Sequence, residues 1–145
     1  MPAKKKTATP AKKVTARKTV LKKAANPAVP VKFEGEVFAR AATGYADDKK
    51  AENIIVLDVR QISMVADFLL ICDGSSLPHL RAIRSEIADR LKHDHGIPPY
   101  SSHGTPDSGW LLLDYGDVVI HVFHAEKRAF YGLEDLWNDA PRLKL

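Results

Sequence analysis

The feature that most constrains the fold is a pair of apolar segments joined by a very short connection. Residues 110–114 read W-L-L-L-D and residues 118–123 read V-V-I-H-V-F, with Tyr115, Gly116 and Asp117 between them. This spacing predicts an antiparallel β-hairpin, in which Gly116 can take the positive φ that such turns require. Because both strands are continuously apolar rather than alternating, we expect both of their faces to be covered.

Apolar periodicity predicts further elements before the hairpin. Helical spacing indicates a helix over residues 34–50, and short apolar runs indicate strands over 54–57 and 68–72, with a connector around 63–66. A second helix follows the turn at Asp73 and Gly74. Ser75 or Ser76 can cap the start of this helix, Pro78 is tolerated in its first turn, and Gly96 is a stop signal at its end. The residues expected to face the core are Leu80, Ile83, Ile87 and Leu91.

A last helix is predicted to begin near residue 126, with Phe130, Leu133 and Trp137 on one side. The element order is then α-β-β-α-β-β-α. This order is typical of a single α/β domain of two or three layers, in which helices cover the sheet.

The net charge of +4 hides a division of the chain. Residues 1–33 contain ten basic and no acidic residues, whereas residues 34–145 contain 12 basic and 18 acidic residues, a net of −6. Self-repulsion and low apolar content predict a disordered Lys/Ala/Pro-rich tail over 1–33 and one folded domain over 34–145. The basic sequence pI of about 9.2 therefore describes the tail rather than the body.

The function of the tail has three interpretations. It could hold RNA or another polyanion by counterion release, or it could only improve solubility. It could also be a transit peptide, although its nine Lys, one Arg and absence of Ser are not typical of one.

Composition also argues against several classes of protein. No run approaches the roughly 18 apolar residues of a membrane-spanning helix, and no secretory signal is evident, so the sequence predicts a soluble, cytoplasmic protein. The single cysteine, Cys72, excludes an internal disulfide framework.

Two carboxylates and a Gly-Ser turn raise the possibility of phosphoryl or nucleotidyl chemistry. Asp114 and Asp117 could hold Mg²⁺, and Gly74 with Ser75 could meet a phosphate at a helix N-terminus. This pattern resembles that of a divalent-metal nucleotidyltransferase. However, the carboxylates are three residues apart across a turn, no third carboxylate is evident, and Asp is an ordinary turn former.

Other candidate residues have structural explanations. The six histidines are His79, His93, His95, His103, His121 and His124. Their spacing does not predict a metal site, and we expect His121 to be a hydrogen-bonded, half-buried strand residue. Cys72 is expected to be a buried, inert thiol. The sequence therefore predicts no catalytic residue, cofactor or metal.

A surface for a protein partner is the remaining candidate site. Trp110, Asp114, Tyr115 and Asp117 are grouped around the hairpin. A tryptophan can anchor an interface, and acidic neighbours favour a basic partner over nucleic acid. The alternative is that Trp110 only packs on an adjacent helix.

At these residues the sequence resembles the ribosomal silencing factors, also called Iojap-like proteins. The matching stretches span residues 34–137 and are A-E-N-I-I-V-L-D-V at 51–59, A-D-F-L-L-I-C-D-G-S-S at 66–76, R-A-I-R-S-E-I at 81–87, G-W-L-L-L-D-Y-G-D-V-V-I-H-V-F at 109–123 and R-A-F-Y-G-L-E-D-L-W at 128–137. The sequence departs from the family at Asp73, where Ser or Thr is usual, and at His103, where an acidic residue is common.

The resemblance implies a mixed β-sheet with a nucleotidyltransferase-like shape but no catalysis. It also implies binding to the large ribosomal subunit through its fourteenth ribosomal protein, which blocks subunit joining and represses translation under starvation. The free protein is expected to be a homodimer, and the partner surface to include Trp110. One alternative is the nucleotidyltransferase described above, and the other is a nucleic-acid-binding protein that acts through its tail. A silencing factor could also touch ribosomal RNA through the same tail.

Overall fold

A mixed five-stranded sheet organises the unit that spans Phe33–Leu145. The computed structural model describes Pro2–Ala3, Lys5–Lys6 and residues 32–145. The strands of the sheet are β1 Glu52–Asp58, β2 Phe68–Gly74, β3 Ser101–His103, β4 Trp110–Asp114 and β5 Val118–His124. Their order is β1-β2-β5-β4-β3; β2 and β5 are parallel, and the other neighbours are antiparallel.

The helices are α1 Gly35–Asp48, α2 Leu77–His95, α3 Ala125–Tyr131 and α4 Leu133–Leu136, with a 3₁₀ turn at Pro106–Ser108. None of the described helices is long and apolar enough to cross a membrane. Near the N-terminus, Pro2–Ala3 and Lys5–Lys6 pair as two-residue antiparallel strands. Most of the predicted disordered tail lies outside the described residues, so its disorder stays a prediction.

Helices α1 and α2 cover the first face of the sheet. The predicted stripe of α2 is confirmed, since Leu80, Ile83, Ile87 and Leu91 are all fully buried. The side chain of Ser76 caps this helix, and Gly96 ends it with a φ of 69°. The sheet contributes alternate residues to the same core, among them Leu70, Cys72, Leu111, Leu113, Ile120 and Val122.

The second face carries the other alternate residues of the same strands. Leu69, Ile71 and Phe123 are buried there, and Leu133 and Trp137 from the C-terminal part of the chain pack against them. The predicted α/β class, with helices flanking the sheet, is thus confirmed.

Three details of the sequence prediction were wrong. The last helix is not continuous, because Gly132 adopts a φ of 58° and separates α3 from α4, and Phe130 is 76% exposed instead of packed. Strand β3 was not predicted at all, because Ser101–His103 carries no apolar pattern. Strand β4 alternates, because Leu111 and Leu113 are buried whereas Trp110, Leu112 and Asp114 are only half-buried, so its second face is partly open.

Candidate docking surface

Trp110 lies at the start of β4, on the second face and directly opposite Phe123 of β5. The chain enters this strand through the turn at Pro106–Ser108 and through Gly109, which has a φ of 75°. A Cβ atom on Gly109 would lie 2.5 Å from Cγ of Lys127. The close approach and the positive φ both require glycine here. The backbone conformation of Gly109 therefore sets the position from which the side chain of Trp110 projects.

Aromatic rings hold the indole of Trp110 in place. Its ring centroid lies 5.0 Å from that of Phe123 and 4.5 Å from that of Tyr131 on α3. Its Nε1 donates a hydrogen bond to Nδ1 of His121 over 3.1 Å. Trp110 therefore packs on an adjacent helix, as one interpretation of the sequence expected, yet it remains half-buried with part of its ring open to solvent.

His121 can accept this bond because it is neutral. The residue is buried, and the burial lowers its pKa to about 4. An unprotonated Nδ1 faces the indole N–H, so the hydrogen bond forms between two neutral side chains. The expectation of a hydrogen-bonded strand histidine is confirmed.

A shallow pocket of about 270 Å³ opens beside Trp110. It is lined by His103, Gly104, Ser108, Trp110, Leu112 and Tyr131. The carbonyl oxygen of Trp110 would lie 2.1 Å from a Cβ atom on Gly104, so any larger residue there would displace the pocket wall. The pocket is large enough for one apolar or aromatic side chain of a partner.

The acidic residues of the hairpin lie at the other end of β4. Oδ1 of Asp114 accepts a 2.8 Å hydrogen bond from the backbone N–H of Gly116, whose φ is 86°. Asp117 is exposed at the same turn. The four residue steps from Trp110 to Asp114, at about 3.3 Å each, separate the indole from the acidic turn by roughly 13 Å. Trp110, Asp114 and Asp117 therefore do not form one compact site.

Tyr115 is a correction to the predicted surface. Its side chain is only 8% exposed and packs in the core, with its ring centroid 5.0 Å from that of Phe38. Burial raises the pKa of its hydroxyl to about 12. Since the pleat directs this ring toward the first face, it supports the turn from inside and does not offer a partner contact.

The residues that suggested phosphoryl chemistry have local partners. The backbone N–H of Ser75 donates to Nδ1 of His79 over 2.9 Å, and Oγ of Ser76 accepts from the backbone N–H of His79. The N-terminus of α2 is thus filled by its own side chains. Among the described residues, no group of three or more His, Cys, Asp or Glu is placed to hold a metal ion.

Cys72 is fully buried, and desolvation raises its pKa to about 12. Its thiol stays protonated at neutral pH, and the expectation of a buried cysteine is confirmed.

A buried ion network on the second face was missed by sequence reasoning. Nη1 of Arg128 on α3 lies 2.8 Å from Oδ1 of Asp73 at the end of β2, and Nε of Arg128 lies 2.8 Å from Glu134 on α4. Asn53 donates to the other oxygen of Asp73 over 2.9 Å. The available signal was Asp73 itself, a charged residue at the end of an otherwise apolar strand.

The fold and this surface define the class of the chain. It is an α/β domain with a mixed five-stranded sheet, and one strand presents a fixed, half-buried indole beside a pocket suited to a protein side chain.

Comparison with known proteins identifies the family. The family model described as "Ribosomal silencing factor during starvation" matches residues 34–145. The chain belongs to the ribosomal silencing factor family. It is 46% identical to the ribosomal silencing factor RsfS of Bacillus subtilis over 102 residues, which cover 70% of this chain and 86% of that protein. It is also 35% identical to the chloroplastic protein Iojap of Arabidopsis thaliana over 112 residues, covering 77% and 46% of the two chains.

Solved structures show the same fold. A crystal structure of a Bacillus halodurans protein matches with a TM-score of 0.65 and 40% identity, covering 74% of this chain and 97% of that one. One from Chromobacterium violaceum matches with a TM-score of 0.69 and 28% identity, covering 72% and 87%. The bacterial relatives are named as silencing factors rather than as enzymes, which places the family in the regulation of translation.

Proposed function

We propose that this chain is a ribosomal silencing factor that binds the large ribosomal subunit through its fourteenth ribosomal protein. Bound there, it blocks association with the small subunit and represses translation under starvation. The observation that carries this proposal is the family match over residues 34–145, in which bacterial relatives named as silencing factors are up to 46% identical. The action is cytoplasmic and needs no cofactor, metal or turnover.

The mechanism is steric, and the charge of the domain supports it. Residues 34–145 carry a net charge of −6, which favours a basic protein over bare nucleic acid as the direct contact. The fixed indole of Trp110 supplies apolar contact, because aromatic anchors dominate the energy of many interfaces. Asp114 and Asp117 lie farther along the same hairpin and provide acidic positions for basic side chains of the partner.

Preorganisation strengthens the case for Trp110. The hydrogen bond to His121 and the stacking on Phe123 and Tyr131 fix the ring before any partner arrives. Less conformational freedom is then lost on docking. The proposal also includes a homodimer of the free chain, as the family resemblance implies.

The test is to truncate this anchor. Removing an interface anchor typically costs ~2 kcal/mol or more, so Trp110→Ala should weaken binding to isolated large subunits about 30-fold. Co-sedimentation with purified large subunits over a range of protein concentrations measures the change.

Trp137→Ala is the matched control, because Trp137 is also a half-buried indole packed on the core of the second face. Both variants lose packing, and thermal unfolding of each reports that loss. We expect Trp137→Ala to bind the subunit as the unchanged chain does once both are folded. Equal binding by the unchanged chain, Trp110→Ala and Trp137→Ala would show that Trp110 is not part of the docking surface.

A further inference from the structure

The loop between β1 and β2 exposes three apolar side chains within four residues. Met64 is fully exposed, Val65 is 86% exposed and Ile62 is 48% exposed. We call these three residues the apolar loop. Single exposed apolar residues are ordinary on a protein surface, but a contiguous group of this kind is typical of an interaction site.

The apolar loop is held rigidly by its own backbone. The N–H of Ser63 donates to the carbonyl oxygen of Val59 over 2.8 Å, and the N–H of Val59 donates to that of Asp67 over 2.9 Å, which closes the base of the loop. Oγ of Ser63 accepts hydrogen bonds from the N–H groups of Val65 and Ala66, over 3.1 and 3.3 Å. Both Val59 and Ala66 are buried, so the loop is anchored on either side of the exposed residues.

Acidic residues lie beside the end of the apolar loop. The backbone N–H of Asp67 donates to the carbonyl oxygen of Asp117 over 2.7 Å, which joins the loop to the hairpin turn that also holds Asp114. Asp114 and Asp117 belong to none of the ion pairs of the described residues, and Asp67 interacts with Arg60 only at longer range. The cation on the loop, Arg60, is already paired in bidentate geometry with Asp58, over 2.9 and 2.7 Å.

The combination of exposed apolar residues and carboxylates favours one kind of binding partner. Carboxylates without an ion-pair partner, as Asp114 and Asp117 are among the described residues, repel nucleic acid and anionic lipid. A second copy of the chain would meet this surface through the same patch, which would bring the acidic residues of both copies together. A basic protein surface that carries apolar side chains among its Lys and Arg residues satisfies both parts of the patch.

We propose that the apolar loop and its acidic neighbours Asp67, Asp114 and Asp117 form a second docking surface, which contacts a basic protein of the large ribosomal subunit. The inference rests on the proposed function. The two surfaces share the acidic turn, and Asp114 lies four residue steps of roughly 3.3 Å from Trp110 along β4, about 13 Å in all. That distance lies within the span of one standard interface.

The experiment uses the full chain and purified large ribosomal subunits. Met64 and Val65 are exposed, so the double variant Met64→Ser, Val65→Ser should keep the thermal unfolding midpoint of the unchanged protein. We expect it to bind the subunit at least tenfold more weakly. The matched control is Leu136→Ser on α4, which removes an apolar side chain that is 72% exposed elsewhere and should leave binding unchanged.

Salt dependence tests the acidic part of the surface. Asp67→Asn with Asp117→Asn should reduce the loss of binding between low and high salt, because two attractive charges are removed.

Each result separates the possibilities. Binding of the double variant at the level of the unchanged chain would overturn the second surface while leaving the proposed function intact. A lack of subunit binding by the unchanged chain would overturn both. Sedimentation of the free proteins supplies the third readout. If the double variant turns a dimer into a monomer and still binds the subunit normally, the occupant is a second copy and the inference is wrong.

Discussion

At the scale of single residues, the position of Trp110 depends on the protonation state of His121. Nδ1 of this histidine accepts the indole hydrogen bond, which it can do only while that nitrogen carries no proton. Burial keeps the ring neutral by lowering its pKa from 6.5 to about 4. The same burial that fixes the indole of Trp110 therefore makes the domain sensitive to acid.

Acid destabilises the folded domain through His121. The folded-state pKa of His121 is depressed, so between about pH 6.5 and pH 4 the unfolded chain binds a proton that the folded chain does not. The stability that the neutral His121 ring allows is fully present above pH 6.5. It is lost as the pH falls through this window, because protonation then favours the unfolded chain. At about 1.4 kcal/mol per pKa unit, the loss is on the order of 3 kcal/mol.

Urea unfolding from pH 4 to pH 7 measures this effect. We expect His121→Gln to flatten the profile, because its amide oxygen can accept the indole hydrogen bond but does not titrate. The matched control is His103→Gln, which removes an exposed histidine whose Nε2 contacts a hydroxyl, that of Ser101, rather than a carboxylate, and it should leave the profile unchanged. An unchanged slope for His121→Gln would show that His121 is not the titrating group.

At the scale of elements, the sequence predicted those whose chemistry is local. Helix α2 was predicted because Ser76, the apolar stripe and Gly96 mark its start, face and end within one segment. Strand β3 could not be predicted, since Ser101–His103 is polar and becomes a strand only by pairing with β4. The break at Gly132 was missed because the apolar residues on either side continue a helical period.

Ion pairing between elements is likewise beyond sequence reasoning, and it leads to a prediction about stability. Arg128 joins β2, α3 and α4 through Asp73 and Glu134. The pKa of Glu134 is lowered mainly by its hydrogen bond with Arg128. Asp73→Asn removes one buried charge and leaves Arg128 undercompensated, so we expect it to lower the free energy of unfolding by about 3 kcal/mol.

Asp58→Asn is the control for this substitution. It breaks the pair with Arg60, whose side chain is 53% exposed, and should lower the free energy of unfolding far less than Asp73→Asn does. Denaturant titration of both variants checks the difference. Comparable losses would show that the bond between Asp73 and Arg128 has no special role in holding α3 and α4 to the sheet.

At the scale of the whole molecule, proximity in sequence was a poor guide to a shared surface. Trp110, Asp114, Tyr115 and Asp117 lie within eight positions of one another, but the length of β4 separates the indole from the acidic turn. The pleat then directs Tyr115 into the core. Conversely, the loop at 62–65 and the acidic turn are about 50 positions apart and meet through the bond between Asp67 and Asp117.

The tail and the domain carry net charges of opposite sign, and each could contribute separately to ribosome binding. If the acidic domain binds a basic protein of the subunit, the tail adds only attraction to ribosomal RNA, which salt screens. Deletion of residues 1–31 should therefore weaken binding to purified large subunits by a few-fold at low salt and by less at physiological salt. Titrations at two salt concentrations, with Trp110→Ala in parallel, measure both contributions. If the deletion abolished binding while Trp110→Ala did not weaken it, the chain would act through its tail as a nucleic-acid-binding protein. The reverse order of effects would identify the acidic domain as the part that recognises the ribosome.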